Sequence, residues 1–306
     1  MEGVSVRPII DMDNVQIEIT NACHNTCSNC TRMCGHHAKP YFMELDQVKQ
    51  AIDSCKHYPK MTGIMGGEPL LHPQFQEICE YMQIVIPKEK CGLWTCLPKG
   101  KEHYRDVIVR TFGNIFINDH TRDDILHGPV LVASDELPIA GWQKDYLINK
   151  CWVQDSWSAS VNPKGAWFCE VAAALAMTLD VEGLGWDVTN AWWARSPQHY
   201  ITQMSMCHYC GLAMPLERRC STDEIDDISP KMYEVLKNFS PKIKKGKYKI
   251  HNLETHDETR QCATYKDESY RNIIAKRYGM FLVNNEKGFN EPYLTKNWTM
   301  DCLKPV

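Results

Sequence analysis

The chain of 306 residues contains no apolar run long enough to span a bilayer, so a membrane-embedded protein is not expected. Neither charge sign is in large excess, and the formal net charge is -4. This balance gives no global attraction to nucleic acid or to anionic lipid, although it leaves room for a local basic groove. The first eight residues lack a basic segment followed by an apolar one. We therefore expect a cytoplasmic protein.

Cysteine, in contrast, is abundant, with 15 residues. A reducing compartment disfavours disulfides, so this number favours ligation of metal ions or clusters. The odd number also excludes pairing of every cysteine within the chain. With 43% hydrophobic and 24% charged residues, the remaining composition is typical of a globular protein of one or two domains.

Strands and helices are predicted to alternate along the first 135 residues. Alternating Val15, Ile17 and Ile19 indicate the first strand. The predicted strands are 15–20, 61–65, 92–96, 114–118 and 129–132. Amphipathic spacing predicts helices at 44–52, 75–86 and 104–110. Such alternation is typical of an α/β fold of parallel βα units, in which chemistry gathers at the carboxyl ends of the strands.

Three cysteines follow the first predicted strand with the spacing C-x3-C-x2-C, at Cys23, Cys27 and Cys30. Three thiolates in one loop can hold three irons of a [4Fe-4S] cube and leave the fourth iron open. Zinc sites favour paired C-x2-C units, and disulfide frameworks suit small secreted chains. Both alternatives fit this loop less well.

Two further turns end predicted strands. Gly66, Gly67 and Glu68 close the second strand, and a lone turn of this kind is a weak signal. Asn118, Asp119 and His120 close the fourth. Because the carboxyl ends of parallel strands meet at one edge, we expect both turns and the cysteine loop to share one site.

The cysteine loop and the Gly-Gly-Glu-Pro turn one strand later together resemble the radical SAM superfamily. The resemblance covers residues 15 to about 135 and implies a partial (β/α)6 TIM-like barrel. It implies that the three cysteines hold a [4Fe-4S] cluster whose open iron binds S-adenosylmethionine. The residues placed at the cofactor are Gly66, Gly67, Glu68 and Asn118. The superfamily usually has an aromatic residue before the third cysteine, where this chain has Asn29.

The resemblance also implies a reaction. A flavodoxin- or ferredoxin-like reductant would supply one electron, and a 5′-deoxyadenosyl radical would abstract a substrate hydrogen. Asp119 and His120 are candidate substrate residues, with a hydrogen-bonded turn as the alternative. His36 and His37 are expected at the surface, with a place at the mouth of the barrel as the alternative. The basic run 242–249 is expected to form a solvated loop.

A second group of cysteines follows residue 150. Cys151, a predicted hairpin ending at Gly165, Cys169 and a later C-x2-C at Cys207 and Cys210 resemble the twitch and SPASM extensions of radical SAM enzymes. The resemblance implies a second [4Fe-4S] cluster. A structural zinc held by the same four cysteines is the alternative, and Cys220 could replace one ligand. The other cysteines are expected to pack as small apolar groups: Cys34, Cys55, Cys79, Cys91, Cys96, Cys262 and Cys302.

The character of the chain changes near residue 145 and again near 220. These changes predict a partial barrel over 1–145, an auxiliary-cluster region over 146–220 and a helical extension over 221–306.

Three functions remain open. The cysteine loop and its flanks are similar to bacteriophage radical SAM proteins of DNA hypermodification. That similarity implies a nucleobase or nucleobase-linked amino acid as substrate, DNA or a nucleotide as partner, and the host-cell cytoplasm. The alternative is an enzyme that epimerises, dehydrogenates or cross-links a peptide or small metabolite, which the acidic net charge favours. The third is a non-catalytic metalloprotein, against which the Gly-Gly-Glu turn argues.

Overall fold

Short strands and helices alternate through the first half of the chain, as the sequence predicts. The computed structural model describes residues 6–118, 120, 125–156, 159–254 and 280–284. The helices of these residues are α1 (Leu45–Ser54), α2 (Phe75–Val85), α3 (Arg105–Thr111), α4 (Gly141–Asn149), α5 (Trp152–Ser156), α6 (Glu170–Thr178), α7 (Ile201–Met204), α8 (Pro230–Leu236) and α9 (Pro241–Lys244).

The strands of the same residues form one large sheet and two small ones. They are β1 (Asn14–Thr20), β2 (Met61–Gly66), β3 (Cys91–Thr95), β4 (Asn114–Asn118), β5 (Leu126–His127), β6 (Ser160–Asn162), β7 (Gly165–Trp167), β8 (Arg219–Cys220), β9 (Asp226–Ile228), β10 (Tyr248–Ile250) and β11 (Met280–Asn284). The first four strands and the first three helices lie where the sequence predicts them.

The large sheet has the order β11-β4-β3-β2-β1-β6-β7. Its five central strands run parallel, and β11 and β7 pair antiparallel at the two edges. The predicted α/β class is confirmed, and the sheet is consistent with a partial barrel. The strand order is not consecutive, however, because β6 returns to lie beside β1 instead of following β4.

The strand predicted at 129–132 is wrong. Leu131 forms only a single bridge, to Ile228, while residues 126–127 pair with 219–220. Pro129 lacks an N–H for a ladder, and its carbonyl accepts a turn hydrogen bond from the amide of Val132. The segment therefore bends where the apolar run suggested an extended strand.

Strand β1 is buried on both faces, and the faces differ in chemistry. Val15, Ile17 and Ile19 belong to the apolar core, as do the buried faces of α1 and α2. Because successive side chains alternate, Gln16 and Glu18 point to the opposite face. Both are only 1% exposed. Polar residues on a buried face mark the side of the sheet that carries the candidate site.

The predicted hairpin near residue 160 is confirmed, with β6 and β7 joined across Asn162 and Gly165. Gly165 adopts a φ of 116°, and a Cβ there would lie 2.5 Å from the Trp186 carbonyl oxygen. This hairpin extends the large sheet at β1. The division of the chain at 145 and 220 stays a prediction. Over the described residues, no helix has the length and apolar character needed to cross a membrane.

Candidate functional site

A cavity of about 350 Å³ lies against the carboxyl ends of β1 to β4. Of the residues predicted for the first site, only Asp119 is missing from its lining, and Asp119 lies outside the described residues. The predicted residues in the lining are Cys23, Cys27, Cys30, Gly66, Gly67, Glu68, Asn118 and His120. The structure thus brings the three predicted motifs together.

The two glycines join the end of β2 to the start of the cysteine loop. A Cβ on Gly66 would lie 2.1 Å from the carbonyl oxygen of Thr20, and one on Gly67 would lie 2.3 Å from that of Ala22. The amide of Gly67 donates to Thr20 over 2.7 Å, and that of Glu68 donates to Ala22 over 2.7 Å. The close approach that requires glycine here is to the chain's own backbone.

The carboxylate of Glu68 is buried and accepts four hydrogen bonds from the protein. One oxygen accepts from Thr95 Oγ1 at 2.7 Å and from the amide of Leu70 at 3.1 Å. The other accepts from the amide and the thiol of Cys96, at 2.9 and 2.8 Å. Glu68 therefore fixes the end of β3 while it lines the cavity.

Two further cysteines line the same cavity. Cys34 and Cys96 were expected to pack as small apolar groups, but both contribute to its lining. The Cys34 thiol interacts with Cys23 and Cys30, and its hydrogen bond to Cys30 lowers the pKa of Cys30 to about 5. Burial raises the pKa of Cys27, and the nearby Lys242 ammonium opposes that rise. The thiolate is the form that binds metal.

Buried charges lie at the cavity, where Arg32 and Glu170 belong to the lining. The Arg32 guanidinium contacts Glu18 at 3.3 Å and Glu170 at 2.7 Å. Burial raises the pKa of Glu18. Beside them, neither amide atom of Gln16 has a hydrogen-bond partner within the described part of the chain. Since buried polar groups are normally paired, the Gln16 amide is available to a ligand.

The cavity lining carries two more polar atoms of this kind. Asn118 Oδ1 and His120 Nδ1 are buried and have no hydrogen-bond partner among the described residues. Burial lowers the pKa of His120 to about 3, so its imidazole is neutral at pH 7. The neighbouring His127 is held in place because its Nδ1 donates to the Ser28 carbonyl at 2.7 Å.

The cysteine loop is held from outside by residues that the sequence did not identify. Asn29, at a φ of 49°, accepts from the amide of Asp227 at 2.9 Å and donates to its carboxylate at 3.0 Å. Two expectations are wrong here: His36 is 1% exposed and Lys242 is 3% exposed. Burial follows because both contact the Asp226 carboxylate. The one local feature of the sequence that indicated this support is Asn29, which stands where the superfamily usually has an aromatic residue.

A second, smaller cavity of about 30 Å³ is lined by the four predicted auxiliary cysteines, Cys151, Cys169, Cys207 and Cys210. The rest of its lining is mostly apolar. Burial raises the pKa of Cys169 to about 11 and that of Cys210 to about 12. Cys220 lies apart, in β8 beside Leu126, with its thiol 3.1 Å from Thr222 Oγ1.

Neither set of cysteines is arranged to bind a single metal ion. In the described ranges, no group of three or more His, Cys, Asp or Glu side chains could hold a metal ion as arranged. A tetrahedral zinc needs its thiolates about 2.3 Å from one point. A four-iron cube binds its thiolates through separate irons, so it requires a wider arrangement of sulfur atoms than a single zinc ion does.

Comparison with known proteins gives little. No family model matches the chain. No curated protein matches it either. Among solved structures, BtrN in complex with AdoMet and 2-DOIA is similar at 12% identity and a TM-score of 0.42, over 64% of this chain and 88% of that one. Selenomethionine BtrN in an open conformation gives 12% identity and a TM-score of 0.37, over 65% and 88%. A similarity at this low identity and TM-score supports no conclusion about the function of this chain.

Proposed function

We propose that the chain is a radical SAM enzyme. The observation that carries this proposal is the shared cavity, in which the cysteines of a C-x3-C-x2-C loop meet the Gly-Gly-Glu turn of the neighbouring parallel strand. Cys23, Cys27 and Cys30 would hold a [4Fe-4S] cluster with one open iron. With S-adenosylmethionine and one electron from a flavodoxin- or ferredoxin-like partner, the cluster would supply a 5′-deoxyadenosyl radical that abstracts a substrate hydrogen.

The chain's own residues would bind and orient both ligands. Gly66 and Gly67 keep the end of β2 against the cysteine loop, and Glu68 fixes the neighbouring end of β3. These contacts define the wall on which the methionine moiety would lie. Asn118 and His120 offer unpaired polar atoms to the ribose or to the substrate. Asp119 remains a candidate by its position alone.

For the substrate, we favour a nucleobase or a nucleobase-linked amino acid. The Gln16 amide offers one donor group and one acceptor, which matches the edge of a base. Trp94 lines the same cavity, and its ring is stacked on that of Phe116 with the ring centroids 4.7 Å apart. The stacked pair presents a rigid aromatic surface to the cavity. Arg32 lies between two carboxylates that balance its charge, so this part of the lining does not favour a phosphate.

A peptide or small-metabolite substrate is the second candidate. A cavity of about 350 Å³ is at the small end of ligand sites, and it must admit S-adenosylmethionine as well. That limited space favours a compact substrate over a base that remains attached to duplex DNA.

We also propose that Cys151, Cys169, Cys207 and Cys210 bind an auxiliary [4Fe-4S] cluster. Their convergence on one apolar cavity supports a shared ligand. A structural zinc is the alternative, and metal analysis separates the two. About eight irons per chain would support two cubes, whereas about four irons and one zinc would support the alternative.

The test is cleavage of S-adenosylmethionine. The protein would be reconstituted anaerobically with iron and sulfide, reduced with dithionite and mixed with S-adenosylmethionine. We expect 5′-deoxyadenosine, measured by chromatography and mass spectrometry. A fully loaded protein that forms none would refute the proposed function. Adding nucleosides or amino acids in deuterated form would then identify the substrate class, because deuterium would appear in the 5′-deoxyadenosine.

A further inference from the structure

Asp226, Lys242 and the distant His36 form a buried charged network against the cysteine loop. The Asp226 carboxylate contacts Lys242 Nζ at 2.9 Å and His36 Nε2 at 2.7 Å. Nδ1 of His36 lies 2.8 Å from Ser240 Oγ. All three charged or titratable groups are at most 3% exposed. Burying a lysine and a carboxylate in this way is expensive unless the pair is fully hydrogen-bonded.

The network is attached directly to the loop's backbone. The Lys242 ammonium donates to the carbonyl of Cys27 at 2.8 Å. Asp226 accepts from the amide of Asn29 at 2.5 Å. The amide of Lys242 also donates to the Gly35 carbonyl at 3.1 Å. The network therefore holds peptide groups on both sides of the last proposed ligand, Cys30.

A buried ion pair is a weak source of stability, because desolvation offsets much of the attraction. Its attachment to the metal-binding loop suggests a different role. We infer that Lys242 and Asp226 are positioning residues, which fix the backbone of the cysteine loop and place a positive charge at the Cys27 carbonyl and a negative charge at the Asn29 amide. The electrostatic part of this inference rests on the proposed function.

The first test uses the metal-free protein and therefore does not depend on a cluster. Hydrogen–deuterium exchange of residues 22–36 would be compared in the wild type, Lys242→Met and Lys245→Met. Lys245 lies in the same basic run but is exposed, so its substitution removes the same charge without touching the loop. We expect at least tenfold faster exchange in the loop for Lys242→Met, with unchanged exchange in β2 and β3. Equal exchange in the two variants would overturn the inference.

The second test separates charge from structure. Removing the cation by Lys242→Met should shift the midpoint potential of the first cluster downward, because a positive charge stabilises the reduced form. Asp226→Asn removes the anion and should shift it upward. A purely structural role would move both variants in the same direction, and that result would overturn the electrostatic role. A wild type that binds no iron at this loop would refute the proposed function. The exchange experiment would still show whether Lys242 fixes the backbone of the cysteine loop.

Discussion

The two thiol-lined cavities differ in size, in chemistry and in how their cysteines are held. The first is roomy and contains unpaired polar atoms, and its three predicted ligands lie in one loop tied to residues far along the chain. The second is small and mostly apolar. Cys151 follows α4 and Cys169 precedes α6, whereas Cys207 and Cys210 lie in and just after the short 3-10 helix at 205–209. An apolar lining offers nothing to a polar ligand, which is compatible with the proposed auxiliary cluster being structural. The first suits one that reacts.

Cys27→Ala gives the sharpest test of this difference. It should abolish 5′-deoxyadenosine formation and lower iron from about eight to about four per chain, since one cube loses a ligand. Product and iron would be measured on the same sample. Cys79→Ala is the matched control, because Cys79 is buried in the apolar core and lines neither cavity. Undiminished product in Cys27→Ala would contradict the assignment of the reactive site.

Cys169→Ala should produce the reverse pattern. The second cavity should lose about four irons, or about one zinc if zinc is the occupant, while the first cluster stays loaded and still cleaves S-adenosylmethionine. The midpoint of thermal unfolding should also fall, because a held group no longer joins α4, α6 and the turn at 205–209. Unchanged metal content would show that these thiols only pack.

Gly67→Ala tests whether the glycine turn is needed by the protein itself. Its Cβ would lie 2.3 Å from the Ala22 carbonyl oxygen, so the end of β2 must move away from the loop. We expect a loss of about 1–3 kcal/mol in the free energy of unfolding, measured in urea on the metal-free protein. Gly141→Ala, where a Cβ would meet nothing within 4 Å beyond the adjoining backbone, should be neutral or slightly stabilising at the start of α4. Equal stabilities would contradict the steric explanation.

Cys220→Ala should have the smallest effect. Its thiol lies beside Thr222 Oγ1 and does not line the second cavity. Iron, zinc and 5′-deoxyadenosine should all match the wild type. A lower metal content would instead make Cys220 a ligand and change the proposed auxiliary set.

The sequence predicts the strands and the meeting of the motifs because both depend on local patterns. Alternation at Val15, Ile17 and Ile19 places β1, and the parallel arrangement brings the three turns to one edge. The wrong strand prediction at 129–132 has a local cause as well. The apolar residues after Pro129 favour a strand, whereas the proline itself cannot donate a ladder hydrogen bond. Cys34 and Cys96 were misjudged because composition does not distinguish a cavity wall from a core.

Local sequence patterns do not predict the contacts that hold the cysteine loop. A basic run normally indicates solvent, and nothing near Lys242 indicates a partner at Cys27. His36 was misplaced for the same reason, because its partner Asp226 lies 190 residues away. Contacts of this length follow from the assembled fold alone.

The hydrogen bond between Lys242 and the Cys27 carbonyl spans 215 residues. Ribosomes build the chain from its amino end, so the cysteine loop leaves the exit tunnel long before Lys242 has been translated. An emerging chain can form β1 to β4 early, yet its thiols lack their final support until residue 242 has appeared. Under the proposed function, iron delivery is therefore expected to follow translation, as a late step of maturation.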